Sequence, residues 1–89
     1  ENDRNLEEML QYINHKKTSL EIRAERAFLK KLEGNCEYAV GAYAEIKGGI
    51  LRLKGLFAPA VQSVKIKELE GSPNKPELAG TLLAEKMMR

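Results

Sequence analysis

Tryptophan is absent from this 89-residue sequence, histidine and cysteine occur once each, and proline only three times. Each scarcity excludes something. The lone Cys36 cannot close an internal disulfide, so the chain is not a small cross-linked secreted scaffold and fits a reducing cytosol. The only histidine, His15, lies far from Cys36 in sequence and reads as an exposed loop residue. A thiol activated by a neighbouring imidazole, of the protease or redox type, is therefore not expected, and no metal site is either. No apolar run approaches the length of a membrane helix, and no signal-peptide pattern appears, so neither membrane insertion nor secretion is expected. An excess of one charge is also missing. Fifteen basic against 13 acidic residues leave a net charge of +2, too balanced for a nucleic-acid partner.

What is present suits one soluble domain. Hydrophobic residues make up 43% and charged residues 31%, and the length suffices for one modest core, so residues 1–89 are read as a single domain. Glu1 in place of a methionine is what an excised domain or a processed fragment would show.

The periodicities predict six elements. Leu6, Met9, Leu10 and Ile13 recur at helical spacing over about 4–14, with Asn5 and Glu8 as cap candidates. Asn14-His15-Lys16-Lys17 reads as a polar break. Thr18-Ser19-Leu20-Glu21 matches a capping box, and Leu20, Ala24, Ala27, Phe28 and Leu32 share a face behind it; Gly34 is the expected stop. Strands are expected over 42–46, 50–57 and 61–70. Lys47-Gly48-Gly49 forms the first turn, and Ala58-Pro59-Ala60 the second reversal. In the middle strand Ile50, Leu53 and Leu56 are mixed core candidates, Leu51, Leu53 and Phe57 share one parity, and Gly55 is a possible bulge. A last helix starts near Pro76, with Leu78, Ala79, Leu82, Leu83 and Met87 as its apolar stripe. Gly80 inside it costs about 1 kcal/mol against alanine, which points to close packing. The expected fold is α+β, in the order α-α-β-β-β-α: a three-stranded antiparallel sheet with helices packed on one face and the other face wet. The double-stranded-RNA-binding fold has a similar topology.

Cys36 is the residue singled out for function. It follows a helix C-terminus and is flanked by Glu33 and Glu37, all of which disfavour the thiolate. The bland reading of a lone cysteine is a small buried hydrophobe, but the polar neighbours Asn35 and Glu37 argue for exposure. Arg23 and Arg26 read as structural ion-pair partners rather than carboxylate binders, and Tyr43 as a sheet residue.

Several stretches resemble the C-terminal domain of the porphobilinogen deaminase (hydroxymethylbilane synthase) family. They are Glu25-Arg26-Ala27-Phe28-Leu29, Leu32-Glu33-Gly34, Cys36 and Ala42-Tyr43-Ala44-Glu45. Weaker agreement continues through Leu53-Lys54-Gly55-Leu56 and Ala79-Gly80 to Leu83-Ala84-Glu85. The sequence departs from the family at Asn35, Glu37 and Ala39, where glycine, glutamine and proline are usual. The resemblance implies that Cys36 anchors a dipyrromethane cofactor through a thioether. It further implies a cytoplasmic transferase, active in tetrapyrrole and heme biosynthesis, that joins four porphobilinogen molecules. In that family the catalytic aspartate and most carboxylate-binding arginines lie in two N-terminal domains, which would be the partners of this one. No catalytic residue is therefore expected here, and the isolated domain should be inactive with a free thiol. The alternative is a small RNA-binding or protein-interaction domain of similar topology. The RNA reading is weakened by a single lysine, Lys75, at the start of the last helix.

Overall fold

The computed structural model describes residues 2–33, 39–60 and 62–88. Five elements follow one another: helix α1 (Asn2–Leu32), strands β1 (Ala39–Lys47), β2 (Ile50–Ala60) and β3 (Ser63–Gly71), and helix α2 (Pro76–Met87). The strands form an antiparallel meander in the order β1-β2-β3. Both helices lie on one face of it, so the α+β class and the one-sided helical layer are as the sequence predicts.

The helix count differs. The segments expected over 4–14 and 18–33 are one continuous helix. Residues 14–17 hold neither proline nor glycine, and two of them are lysines, good helix formers. A polar stretch changes which face is wet but does not break the backbone ladder. Thr18 therefore sits mid-helix and caps nothing, and Glu21 is used elsewhere. The C-terminal end agrees with expectation, since α1 stops at Leu32 and Glu33 N–H turns back onto the Lys30 carbonyl at 3.2 Å. Gly34, the expected stop, lies outside the described residues.

One long helix gives an elongated molecule, 57 Å by 20 Å by 17 Å. Only its second half covers the sheet. Residues 4–19 are all exposed, whereas Ala24, Phe28 and Leu32 are fully buried. These three meet Leu51, Leu53 and Phe57 from β2, Ala44 from β1, and Ala79, Leu83, Ala84 and Met87 from α2 in one core. In β2 the odd parity is the buried one, so Ile50 is exposed and Leu56 only half-buried. On α2, Leu78 and Leu82 fall outside the core. Leu78 and Leu82 are four apart and share a row one position behind the buried row of Ala79, Leu83 and Met87, so they fall beside a helix seam this narrow.

Two glycines make the tight packing possible. A Cβ on Gly55 would strike the Phe28 ring, 2.7 Å from Cε1. The β2–β3 register runs unbroken past Gly55, and the irregularity falls between Phe57 and Ala60. Gly55 is thus the seat of the Phe28 ring and not a bulge. Gly80 lies against the α1 backbone, where a Cβ would come within 2.8 Å of Phe28 N. The β1–β2 turn is as expected: Lys47 pairs with Ile50, and Gly48 and Gly49 take φ of 60° and 76°.

In β3 the alternation places Val64 and Ile66 on the open face and turns Lys65 and Lys67 toward the helices. The two ammonium groups reach the exposed end of α2. Lys65 Nζ donates to the Met87 carbonyl at 3.2 Å and Lys67 Nζ to the Lys86 carbonyl at 3.4 Å. Those carbonyls have no partner within the helix, and cations suit the negative end of its dipole.

Candidate functional site

Cys36 lies outside the described residues, which end before it at Glu33 and resume after it at Ala39. On one side α1 ends with Leu32 fully buried in the core and Glu33 exposed. On the other, β1 opens with Ala39 paired to Ala58 and Val40 to Phe57, and both Ala39 and Val40 are exposed. The described residues on either side of Cys36 thus belong to fixed elements, and Glu33 and Ala39 are both at the surface.

The second half of β1 is held by α1. β1 is an edge strand, and its outward N–H groups need partners. Glu25 Oε2 accepts from Ala44 N–H at 2.7 Å, and Glu21 Oε2 accepts from Ile46 N–H at 2.8 Å. Glu21 and Glu25 are one helical turn apart, and Ala44 and Ile46 point the same way along the strand, so two carboxylates match two amides. This clamp fixes β1 against the helix that precedes Cys36. Sequence reasoning missed it, because the capping-box reading assigned Glu21 to its own helix. The signal was the i, i+4 pair of acids on the side of α1 next to its apolar face.

Among the described residues an open groove of about 610 Å³ lies between α1 and α2, with Arg23, Arg26, Lys30 and Lys31 along one wall and Glu77 and Thr81 on the other. Arg23 forks onto Glu77, with Nε donating to Oε2 at 2.6 Å and Nη2 to Oε1 at 3.0 Å. This paired hydrogen bond holds the Glu77 carboxyl below its ordinary range and raises the Arg23 guanidinium above its own. Arg23 is therefore a structural ion-pair residue, as its sequence position suggests, although its partner is on the other helix. Lys31 stands 4.0 Å from Glu85. Arg26 is exposed on the groove wall.

The remaining sequence candidates do not converge on this groove. Tyr43 is exposed on the open face of the sheet, in register with Lys54. His15 is exposed on the free half of α1, on helix rather than loop. The start of α2 presents Lys75, Pro76 and Glu77, with Glu77 engaged by Arg23, so no lysine cluster faces outward there. Among the described residues no helix is long and apolar enough to cross a membrane.

The comparisons with known proteins agree with this geometry. Residues 19–89 match the family described as porphobilinogen deaminase, C-terminal domain. The porphobilinogen deaminase of Carboxydothermus hydrogenoformans is 49% identical over 84 residues, which is 93% of this chain and 27% of the relative. That of Moorella thermoacetica is 37% identical over 87 residues, 97% of this chain and 28% of the relative. That of Clostridium botulinum, strain Loch Maree, is 35% identical over 82 residues, 92% of this chain and 28% of the relative. The chain thus spans little more than a quarter of the length of these relatives. With the helical layer, the three-stranded meander and 71 of its residues inside the match, the chain belongs to the porphobilinogen deaminase C-terminal domain family.

Proposed function

We propose that this domain carries, on Cys36, the covalent dipyrromethane of a hydroxymethylbilane synthase. The whole enzyme would join four porphobilinogen molecules into hydroxymethylbilane for tetrapyrrole and heme synthesis in the cytoplasm. The observation that carries the proposal is that the family match over residues 19–89 contains the chain's only cysteine.

The residues present fit the group. A thioether needs one thiol, and Cys36 alone can supply it. The bond also needs a carrier segment that is fixed yet open to its surroundings. Leu32 in the core and the Ala39–Ala58 pair fix the two ends, and exposed Glu33 and Ala39 bring them to the surface. The Glu21 and Glu25 clamp keeps β1 from sliding along α1, so the two ends keep their spacing. When bound, the dipyrromethane supplies the chain end to which pyrrole units are added. The role of Cys36 is to hold that end in place through repeated additions without being consumed. Such a role calls for position rather than a low-pKa thiol.

The test is Cys36→Ser in the full-length enzyme. The variant should fold, keep its circular dichroism spectrum, lose the mass of the attached pyrroles in intact mass spectrometry, and lose turnover to background. A serine variant that still carried covalent pyrrole would place the attachment on another residue and end the proposal.

A further inference from the structure

Charge in the groove between α1 and α2 is not balanced. The two helices run in the same direction, since Arg23 meets Glu77 and, eight residues further along both, Lys31 meets Glu85. These two pairs mark the ends of the groove. The row of α2 that faces it is Glu77, Thr81 and Glu85, one residue per turn. The middle of that row is a hydroxyl where both ends are carboxylates. Across the groove from it stand Arg26 and Lys30, both exposed. Neither has an ion-pair or hydrogen-bond partner among the described residues. Arg26 gets no help on its own helix either: the residues three and four positions away are Ile22, Arg23, Leu29 and Lys30. Like charges at i, i+4 weaken a helix, so Arg26 and Lys30 work against the fold that carries them. Four cations, Arg23, Arg26, Lys30 and Lys31, against two carboxylates, Glu77 and Glu85, leave the groove a net +2, as large as that of the whole chain.

The groove also has an apolar bed. Half-buried Ala27 lies in it, and the methylene stems of the arginines and lysines line its wall. Its volume of about 610 Å³ is that of a small-molecule site. Unpaired cations above an apolar bed fit acid groups on an apolar body better than a bare hydrated anion. The reaction proposed for the whole enzyme makes a compound of this kind. Each porphobilinogen brings two carboxylates and one aminomethyl group, and joining the units releases that nitrogen as ammonia. The substrate therefore carries a cation of its own, whereas the tetrapyrrole product is a polycarboxylate without one. A groove of net positive charge favours the product over the substrate. The Lys31 end of the groove is also the end of α1 from which the sequence runs on to Cys36.

We propose that the α1–α2 groove is a binding site for a polycarboxylate of the tetrapyrrole class, in which Arg26 and Lys30 each take a carboxylate and Ala27 lies under the pyrrole carbons. The source of the ligand rests on the reading of this chain as part of a hydroxymethylbilane synthase. The charge and shape of the site do not. Arg23 and Lys31 keep their partners on α2 and hold the two walls at a fixed spacing. The two free cations between them do the binding, and Thr81 leaves room where a glutamate would neutralise them.

Uroporphyrin I, a stable tetrapyrrole polycarboxylate, serves as the probe. Titrated into the isotope-labelled 89-residue chain, it should bind saturably and shift the amide resonances of residues 23–31 and 77–85. Arg26→Gln together with Lys30→Gln should weaken binding at least about tenfold. Lys16→Gln together with Lys17→Gln removes the same charge from the exposed half of α1 and should change the affinity by less than about twofold. Thr81→Glu supplies the missing carboxylate without touching either cation. It should weaken binding as the first pair does and leave the circular dichroism spectrum unchanged. Porphobilinogen should bind at least about tenfold more weakly than uroporphyrin I. Shifts centred elsewhere, or equal losses in the two double variants, would mean general charge attraction and overturn the proposal. Inorganic phosphate binding as tightly as the porphyrin would also overturn it, since the apolar body would then count for nothing. Failure of the proposed function reads differently. Were full-length Cys36→Ser to keep a covalent pyrrole while the chain still bound uroporphyrin I through Arg26 and Lys30, the groove would stand as a polycarboxylate site and only the source of its ligand would fall.

Discussion

Gly80 shows how a single atom sets the spacing of two helices. Its missing Cβ lets the α1 backbone come against α2, with Ala24 O, Ala27 Cβ and Phe28 N all within the space a methyl would take. Propensity and packing make opposite demands at this position. Alanine in a helix interior is worth about 1 kcal/mol over glycine. Two of the three atoms in the way, however, are backbone, and neither can turn aside. Pushing the helices apart would also loosen Phe28 and Leu83, both fully buried. Gly80→Ala should therefore destabilise the chain by about 2 kcal/mol net, read as a lower urea midpoint with an unchanged slope. A variant as stable as the parent would show that the helices have room the geometry denies. The sequence did carry this information, because a glycine inside a strong apolar stripe is costly unless something lies close. The reason for Gly55 was not legible in the same way. Its neighbour is the Phe28 ring, 27 positions away in the chain, and strand periodicity says nothing about what stacks on the strand.

At the scale of elements, the order of strands, the glycine turn and the start of α2 were all readable from local rules. The long helix was not. A capping box at Thr18 is a local signal, and it competes with another local fact, the absence of any breaker between Asn14 and Lys17. Continuity won because nucleating a second helix costs more than extending the first across polar residues. This reverses the expected effect of a substitution. Were Thr18 a cap, Thr18→Ala would cost about 1 kcal/mol. In mid-helix and exposed, the threonine loses to alanine on propensity, so the variant should be unchanged or more stable by up to about 0.7 kcal/mol, with equal or greater ellipticity at 222 nm. A loss near 1 kcal/mol would mean that a helix starts at Thr18 in solution. Which side of β3 faces the helices was not legible for a different reason. Val64 and Ile66 lie on the open face, and the lysines between them take the inner side because α2 ends there with open carbonyls. That choice depends on where a later helix stops, which no window of the strand contains.

The whole molecule is one layer of helix on one sheet, and this bears on what it can do alone. Adding pyrrole units and releasing ammonia needs a group that holds and gives protons next to the substrate. Such groups work near neutral pH when burial or a charged neighbour adjusts them. Among the described residues no polar or charged side chain is buried. In the open groove between the two helices Arg23 and Glu77 bind each other. A thiol at Cys36 would supply attachment without supplying acid–base chemistry. The 89-residue chain incubated with porphobilinogen should therefore yield no uroporphyrin-type product above background, while the full-length enzyme yields it under the same conditions. Turnover by the chain alone would mean that the proton-transfer groups lie among these 89 residues. The division of labour between a carrier domain and the rest of the enzyme would then be wrong, however well the fold and the family agree.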